Sequence, residues 1–252
     1  MIRHDIRKFL CRATTLVLAV CLVSGLTGCG GRKKTAAGKS PEETLEIFFQ
    51  ALSRQDVDGM MACCYIEDYL DRVSFSQYTD RTRTYLPTNG ISAPTEYDLY
   101  RKTVGYQLRA NFARSFQILT FSLLATDEEY QDLLEFRPIG NVDRDWAKDF
   151  SRAVDPGALK DLKILRIDED CPDMQDDPRA EENFQRSTGA DDVVERTVLL
   201  ELDGQLFCKG FTLAEVDGRW QIYTVGALLL GENSMGGATP VDSEQEYRDL
   251  IQ

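Results

Sequence analysis

The sequence predicts an α+β protein in which N-terminal helices pack on a curved C-terminal antiparallel sheet. Apolar residues recur with helical spacing early in the chain, at Leu45, Phe48, Phe49 and Leu52. Residues near the end instead alternate with the period of a strand. Because the helical patterns precede the strand patterns as a block, the helices are expected on one face of the sheet.

The first helix is predicted to begin after Ser40. Its side chain suits the N-cap, Pro41 suits the first helical position, and Glu43 completes a capping box. Asp56 is the predicted cap of a second helix. We expect this second helix to pack back against the first.

An enlarged helical middle follows the first two helices. Residues 74–94 are polar and are interpreted as a surface excursion, and Thr95 and Asp98 resemble a capping box that opens another helix. Residues 118–124 are apolar on both faces, which fits a helix or a strand. Further helical patterns cover 127–136 and 142–154. The long helix carries an aromatic stripe more typical of core packing than of a pocket wall, at Tyr97, Tyr100, Val104, Leu108, Phe112 and Phe116.

The C-terminal part is predicted to be a β-meander. Residues 159–167 form a first strand, and the acidic stretch 168–192 is interpreted as a mobile loop, since it lacks the ligand spacing and turn glycine of a calcium-binding EF-hand. Asp203-Gly204 and Asp217-Gly218 predict two tight hairpin turns. Strand alternation predicts an apolar, filled interior, with Trp220 and Ile222 against Phe48 and Phe49. The inward positions are Val198, Leu200, Phe207, Phe211, Trp220 and Ile222.

The N-terminus has the pattern of an export signal. A basic stretch is followed by apolar residues 13–26, a run shorter than the roughly 20 residues of a spanning helix. Leu26-Thr27-Gly28-Cys29 then resembles the lipobox of bacterial lipoproteins. The resemblance implies that the Cys29 sulfur receives a diacylglyceryl group and that the signal is removed before it. The alternative is an uncleaved anchor, because residues 13–31 are all uncharged.

Four segments are therefore predicted: a signal peptide at 1–28, a basic flexible tether at 29–39, a single α+β domain at 40–231 and a flexible tail at 232–252. The tether is interpreted as a solvated linker, although its charges also suit anionic head groups. We expect the protein to be lipid-anchored on the extracytoplasmic face of a bacterial cell membrane, with the membrane as one partner.

Composition excludes several classes of function. The chain has 42 acidic against 29 basic residues, so nucleic acid is not expected as a partner. Its one histidine, His4, lies in the signal. Histidine-based catalysis and histidine metal ligands are thereby excluded from the mature chain. No catalytic, metal-binding or cofactor-binding residue is assigned, and no cofactor is expected.

Four cysteines besides Cys29 follow the signal, namely Cys63, Cys64, Cys171 and Cys208. An exported protein can form disulfides, and Cys171 and Cys208 are the more plausible participants, because a bond between adjacent helical cysteines would be strained. The alternative is that these cysteines are buried as small apolar residues. A zinc site is not expected, since no C-x-x-C spacing occurs.

The domain resembles the nuclear-transport-factor-2-like (cystatin-like) superfamily at its two ends. The matching segments are Pro41-Glu42-Glu43-Thr44 with Phe48, Phe49, Ala51, Leu52 and Asp56, the strand Leu159-Lys160-Asp161-Leu162-Lys163-Ile164, and the closing Asp217-Gly218-Arg219-Trp220-Gln221-Ile222. The resemblance implies a cone formed by helices and a curved sheet.

Members of this superfamily include both enzymes and noncatalytic binders, and no residue here matches a catalytic position. We expect a noncatalytic module that binds a protein, a peptide or an envelope ligand through the cone or the sheet face. One alternative is an enzyme with a carboxylate and tyrosine acid-base site in the cone. The other is a structural envelope protein.

Overall fold

The computed structural model describes residues 36–83, 93–125, 144–169, 178–227 and 237–251. Its elements run in the order α1 (Pro41–Ser53), α2 (Val57–Ala62), α3 (Glu67–Arg72), α4 (Phe75–Thr82), α5 (Asp98–Leu124), α6 (Arg144–Ala153), a 3₁₀ helix (Pro156–Asp161), β1 (Lys163–Glu169), α7 (Pro178–Thr188), β2 (Asp192–Leu202), β3 (Gln205–Val216), β4 (Arg219–Thr224), β5 (Thr239–Val241) and α8 (Glu244–Leu250).

The strands form an open five-stranded antiparallel sheet in the order β1-β2-β3-β4, with β5 paired to β3. The β2–β3 hairpin turns at Asp203-Gly204, whose φ angles are 50° and 83°, and the β3–β4 hairpin turns at Asp217-Gly218, at 51° and 73°. Two successive left-handed residues form the type I′ turn, which matches the twist of a hairpin. The predicted meander and the α+β fold class are confirmed.

Helix α1 begins as its sequence predicts. The Ser40 hydroxyl accepts a hydrogen bond from the Glu43 amide at 3.2 Å, and the Glu43 carboxylate accepts one from the Lys39 amide at 2.6 Å. Asp56 caps α2 by accepting from the Gly59 amide at 2.9 Å. The apolar face of α1 is buried against the sheet, with the side chain of Phe48 fully enclosed.

The predicted tether, 29–39, is wrong at its C-terminal end. Gly38 forms an antiparallel bridge with Trp220, whose amide donates to the Gly38 carbonyl at 2.9 Å. Further along the same strand, the Tyr65 amide donates to the Ile222 carbonyl at 2.8 Å. The outer edge of β4 would otherwise present unpaired backbone groups. Residues 36–39 are therefore part of the folded domain.

The predicted flexible tail, 232–252, is wrong for residues 237–251. Strand β5 lies along β3, and α8 packs on the face of the sheet opposite α1. The side chain of Tyr247 is fully buried there with Leu199 and Cys208. These outward-facing residues of β2 and β3 are apolar and need a cover, which α8 supplies. Ser243 caps α8 by accepting from the Glu246 amide at 3.2 Å.

Two stretches predicted as loops contain helices instead. Strand β1 continues through Glu169 and α7 occupies much of the acidic stretch 168–192, whereas α4 lies inside the excursion 74–94. The strand predicted at 159–167 begins later, after the 3₁₀ helix. No residue of α4 is buried, and Thr188 is the buried residue of α7. Such helices contain few apolar residues, so their sequences resemble loops.

Helix α5 includes residues 118–124, which settles them as helical. It begins at Asp98 with Tyr97 in the cap position and without a side-chain cap bond, so the predicted capping box with Thr95 is wrong. Helix α6 confirms the helix predicted at 142–154. The helix predicted at 127–136 lies outside the described residues. Within the described ranges, each helix is too short or too polar to cross a bilayer.

Candidate functional site

The space between α1, α5 and the sheet is filled by side chains. The ring of Phe211 on β3 lies 5.6 Å from that of Phe48 and 5.5 Å from that of Phe49, and Phe116 of α5 lies 5.5 Å from Phe48. Five of the six predicted inward residues are fully or almost fully buried in this cluster, and Trp220 is half-buried at its margin, which corrects its predicted place in the core. The five are Val198, Leu200, Phe207, Phe211 and Ile222.

Lys209 is a buried charged residue in this interior that the sequence reasoning missed. It lies between Phe207 and Phe211 on the inward face of β3, opposite Val198, and is fully buried. Its ammonium nitrogen lies 5.7 Å from the centre of the Phe211 ring. A cation over an aromatic face recovers part of the cost of burying its charge. Strand alternation places residue 209 on the inward face of β3, and this pattern could have identified Lys209 as buried from the sequence.

A carboxylate and tyrosine pair does occur, but it lies on the opposite face of the sheet. The Tyr247 hydroxyl is 2.9 Å from Asp168 Oδ2 and 3.0 Å from the Thr197 carbonyl oxygen. Arg166 holds the same carboxylate through two hydrogen bonds of 2.9 and 2.8 Å. The pair therefore joins α8 to β1 and β2 and lies outside the predicted cone.

The electrostatics of this pair oppose an acid-base role. The hydrogen bonds from Arg166, helped by that from Tyr247, hold the pKa of Asp168 below its ordinary value of 3.8. Burial and the neighbouring carboxylate raise the pKa of Tyr247 above its ordinary value. A general acid or base works best with a pKa near the working pH, and here the two values move away from neutrality. The pair is best understood as a structural clamp.

A surface cleft of about 440 Å³ lies at the start of β1. Its charged residues carry both signs, and Lys163 in it donates to Glu201 across the β1–β2 pair at 2.7 Å. Small-molecule sites are usually enclosed and mostly apolar. This cleft is open and lined chiefly by charged side chains, namely Lys160, Asp161, Leu162, Lys163, Glu201 and Asp203.

The cysteines in the described residues are buried. The thiols of Cys63 and Cys64 lie in the main core, and each is 3.4 Å from a backbone carbonyl one helical turn earlier. Burial raises the pKa of Cys63 to about 12 and that of Cys64 well above its ordinary value, so both are unreactive thiols. Cys208 lies across the sheet, in the cluster under α8.

Two predicted site residues, Cys29 and Cys171, lie outside the described residues. The lipidation of Cys29 and a disulfide involving Cys171 therefore stay predictions. Within the part of the chain that the structure describes, no group of three histidine, cysteine, aspartate or glutamate side chains is placed to hold a metal ion.

The N-terminal half of α5 and its cap residue Tyr97 carry exposed apolar side chains, called here the α5 aromatic surface and consisting of Tyr97, Leu99, Tyr100 and Tyr106. Leu99 is 68% and Tyr106 is 74% exposed. These two residues are seven apart, which places them on one helix face. The aromatic stripe predicted for the core is thus correct from Val104 onward and wrong for Tyr97 and Tyr100, which are 61% and 43% exposed.

Two basic residues beside the α5 aromatic surface are neutralised within the protein. Lys102 forms an ion pair of 2.6 Å with Asp98 one turn earlier. Arg101 reaches α3, where it pairs with Asp71 at 2.7 Å. Covering the surface would therefore strip water mainly from apolar and phenolic groups, at a lower cost than burying a lone charge.

Neither the protein-family models nor the curated proteins contain a match to this sequence. Among solved structures, the chain is similar to a cystatin-like protein from Ruminococcus gnavus ATCC 29149, with 17% sequence identity and a TM-score of 0.48. The match covers 80% of this chain and 44% of that one, so the chain spans less than half the length of that structure. The likeness concerns the fold alone and assigns no activity.

Proposed function

We propose that this protein is a noncatalytic, lipid-anchored binding module on the extracytoplasmic face of a bacterial membrane. Its partner is a protein or peptide that contacts the α5 aromatic surface. The observation that carries the proposal is the exposure of Tyr97, Leu99, Tyr100 and Tyr106 on one stretch of helix. Tyrosine is enriched at protein interfaces, because it offers a large apolar ring and a hydroxyl that can pair.

Because the interior is filled, binding of a partner at the protein surface is favoured, and binding of a ligand inside the cone is disfavoured. Phe48, Phe116 and Phe211 occupy the space in which a cone-shaped enzyme would hold its substrate. The Asp168 and Tyr247 pair has pKa values displaced away from neutrality. Helix α1 covers one face of the sheet, and α8 and α7 cover parts of the other, which also disfavours the sheet face as the binding surface.

Photo-crosslinking in intact membranes tests the proposed surface. A photoreactive amino acid at position 106 should give an adduct of defined mass with one partner. The same group at Val57, which is 55% exposed on α2, serves as the matched control and should not give that adduct. Substituting both Leu99→Ser and Tyr100→Ser should reduce the adduct about tenfold or more, since central interface residues dominate binding energy.

Two outcomes would contradict the proposed surface. One is the same adduct from positions 57 and 106, and the other is an adduct that the double substitution leaves unchanged. Folding is checked by the melting temperature of the doubly substituted protein. It should stay close to that of the wild type, because exposed side chains contribute within about 0.5 kcal/mol to stability.

The anchor has its own test. Cys29→Ala removes the sulfur that would carry the diacylglyceryl group, so this variant is expected to remain full length and to lose metabolic labelling with fatty acid. Cys21→Ala, which changes another cysteine of the signal, should leave labelling and processing intact. A labelled and processed Cys29→Ala protein would exclude this lipidation site.

A further inference from the structure

The start of α4 and the end of α7 both lie next to one residue, Arg72. Helix α4 follows the end of α3 at Arg72 after Val73 and its cap Ser74. Helix α7 ends at Thr188, and the next residue, Gly189, has a φ of 76°. A Cβ on Gly189 would lie 2.6 Å from the Arg72 carbonyl oxygen, so only glycine allows this approach.

The Arg72 side chain fixes this point to the sheet. Its guanidinium donates to Asp191 at 2.9 Å and to Asp217 at 2.6 Å. The Asp217 amide also donates to the Asp191 carboxylate at 2.9 Å. The start of α4 and the end of α7 therefore lie together next to the turn between β3 and β4.

Beyond Arg72, α4 and α7 contact each other and bury few of their residues in the core. Asp80 of α4 forms an ion pair with Arg186 of α7. Helix α4 has no buried residue, and Thr188 is the buried residue of α7. A segment with few buried apolar contacts has a low free energy of local opening.

Helix α7 packs on a group of three tyrosines whose rings contact one another, namely Tyr65, Tyr69 and Tyr223, called here the tyrosine cluster. Phe184 of α7 packs on Tyr223 with its ring centre 4.8 Å away, and the Tyr65 hydroxyl donates to the Thr188 carbonyl at 3.1 Å. The rings of Tyr65 and Tyr69 meet edge to face at 5.9 Å.

A buried polar group beside this cluster lacks one of its hydrogen bonds. Gln221 lies two residues before Tyr223 on the same face of β4 and is fully buried. Its amide nitrogen donates to Asp68 at 2.6 Å, while its Oε1 atom has no hydrogen-bond partner in the described part of the chain. A buried acceptor without a hydrogen bond is destabilising, so contact with water is expected to lower its free energy.

We propose that α4 and α7 form one hinged cover, which turns about Arg72 and Gly189 and exposes the tyrosine cluster while the sheet stays folded. The hinge is the glycine contact with the Arg72 backbone, and the Asp80–Arg186 ion pair makes the two helices move together. The opened surface consists of phenol rings and the free acceptor of Gln221.

Hydrogen exchange measured by mass spectrometry on the full-length protein in nanodiscs tests the cover. Amides of 75–82 and 178–188 should exchange together and well before those of β2 and β3. Arg186→Gln removes the ion pair, and it should speed exchange in both helices about threefold, the size expected for a surface pair. Phe184→Ala should speed both about tenfold through loss of the ring contact with Tyr223.

Arg248→Gln is the matched control, because the Arg248 and Arg186 side chains are 37% and 36% exposed and each forms a surface ion pair. It should leave exchange in α4 and α7 unchanged. The cover is overturned if Arg186→Gln speeds exchange in α7 and leaves α4 unaffected. It is equally overturned if both helices exchange no faster than β2 and β3, because they then open only with the whole fold.

Discussion

Replacing Phe211 with alanine is expected to lower the free energy of unfolding by about 3 to 5 kcal/mol, the usual cost of deleting a buried aromatic ring. Phe211 is fully buried, and its ring contacts those of Phe48 and Phe49 and the ammonium of Lys209. The cavity would open where α1 crosses the sheet, and α1 is tied to β4 there by the hydrogen bond of 2.8 Å that the Thr44 hydroxyl donates to the Trp220 carbonyl, which resists collapse.

Urea unfolding followed by circular dichroism measures this effect. Trp220→Ala is the comparison, because tryptophan is the larger side chain but is only half-buried here. Trp220→Ala should lower the free energy of unfolding clearly less than Phe211→Ala does. The sequence pattern, which places Trp220 in the core, would imply a similar cost for both. Equal stabilities of the Phe211→Ala and wild-type proteins would show that the interior between α1 and β3 is not packed as described.

Tyr247→Ala is expected to cost about 3 to 5 kcal/mol as well, although it changes a residue only five positions from the C-terminal Gln252. The ring is fully buried against Leu199 and Cys208, and its hydroxyl contacts both Asp168 and the Thr197 carbonyl. Losing the ring would uncover an apolar part of the sheet that α8 now shields.

Two further variants distinguish the contribution of the Tyr247 ring from that of its hydroxyl, and from the effect of removing an exposed tyrosine. Tyr247→Phe keeps the ring and should cost about 1 to 3 kcal/mol, since it removes the one O–H donor that serves Asp168 and the Thr197 carbonyl. Tyr106→Ala removes an exposed tyrosine and should change stability by less than about 0.5 kcal/mol. If Tyr247→Ala behaved like Tyr106→Ala, the C-terminal helix would not be part of the folded core.

Features set by neighbouring residues were predictable from the sequence. The caps at Ser40 and Asp56 depend on contacts three residues away, and the turns at Asp203-Gly204 and Asp217-Gly218 depend on two residues that accept positive φ. The inward positions of β2 and β3 follow from the period of a strand. These local signals sufficed for the fold class and for the apolar filling between α1 and the sheet.

The interpretations that failed depended on partners distant in the chain. Residues 237–251 are polar and rich in turn-forming residues, yet Tyr247 is buried against Leu199 and Cys208, which would be exposed without it. Helices α4 and α7 contain too few apolar residues to be recognised, and they are held by the Asp80–Arg186 ion pair and by the packing of Phe184 on Tyr223. The α5 aromatic surface escaped recognition because helical spacing shows which residues share a face and does not show where the packed part of that face ends.

The α+β class, the meander, the first two helices and the apolar character of the interior were all accessible from the sequence, because each follows from local hydrogen bonding or from periodicity. The pairing of residues 36–39 with the edge of β4, the cover that α8 places over part of the second face of the sheet, and the exposure of Tyr97 and Tyr100 became visible only in the folded chain. These outcomes depend on which unpaired backbone groups and uncovered apolar faces remain once the main elements have packed.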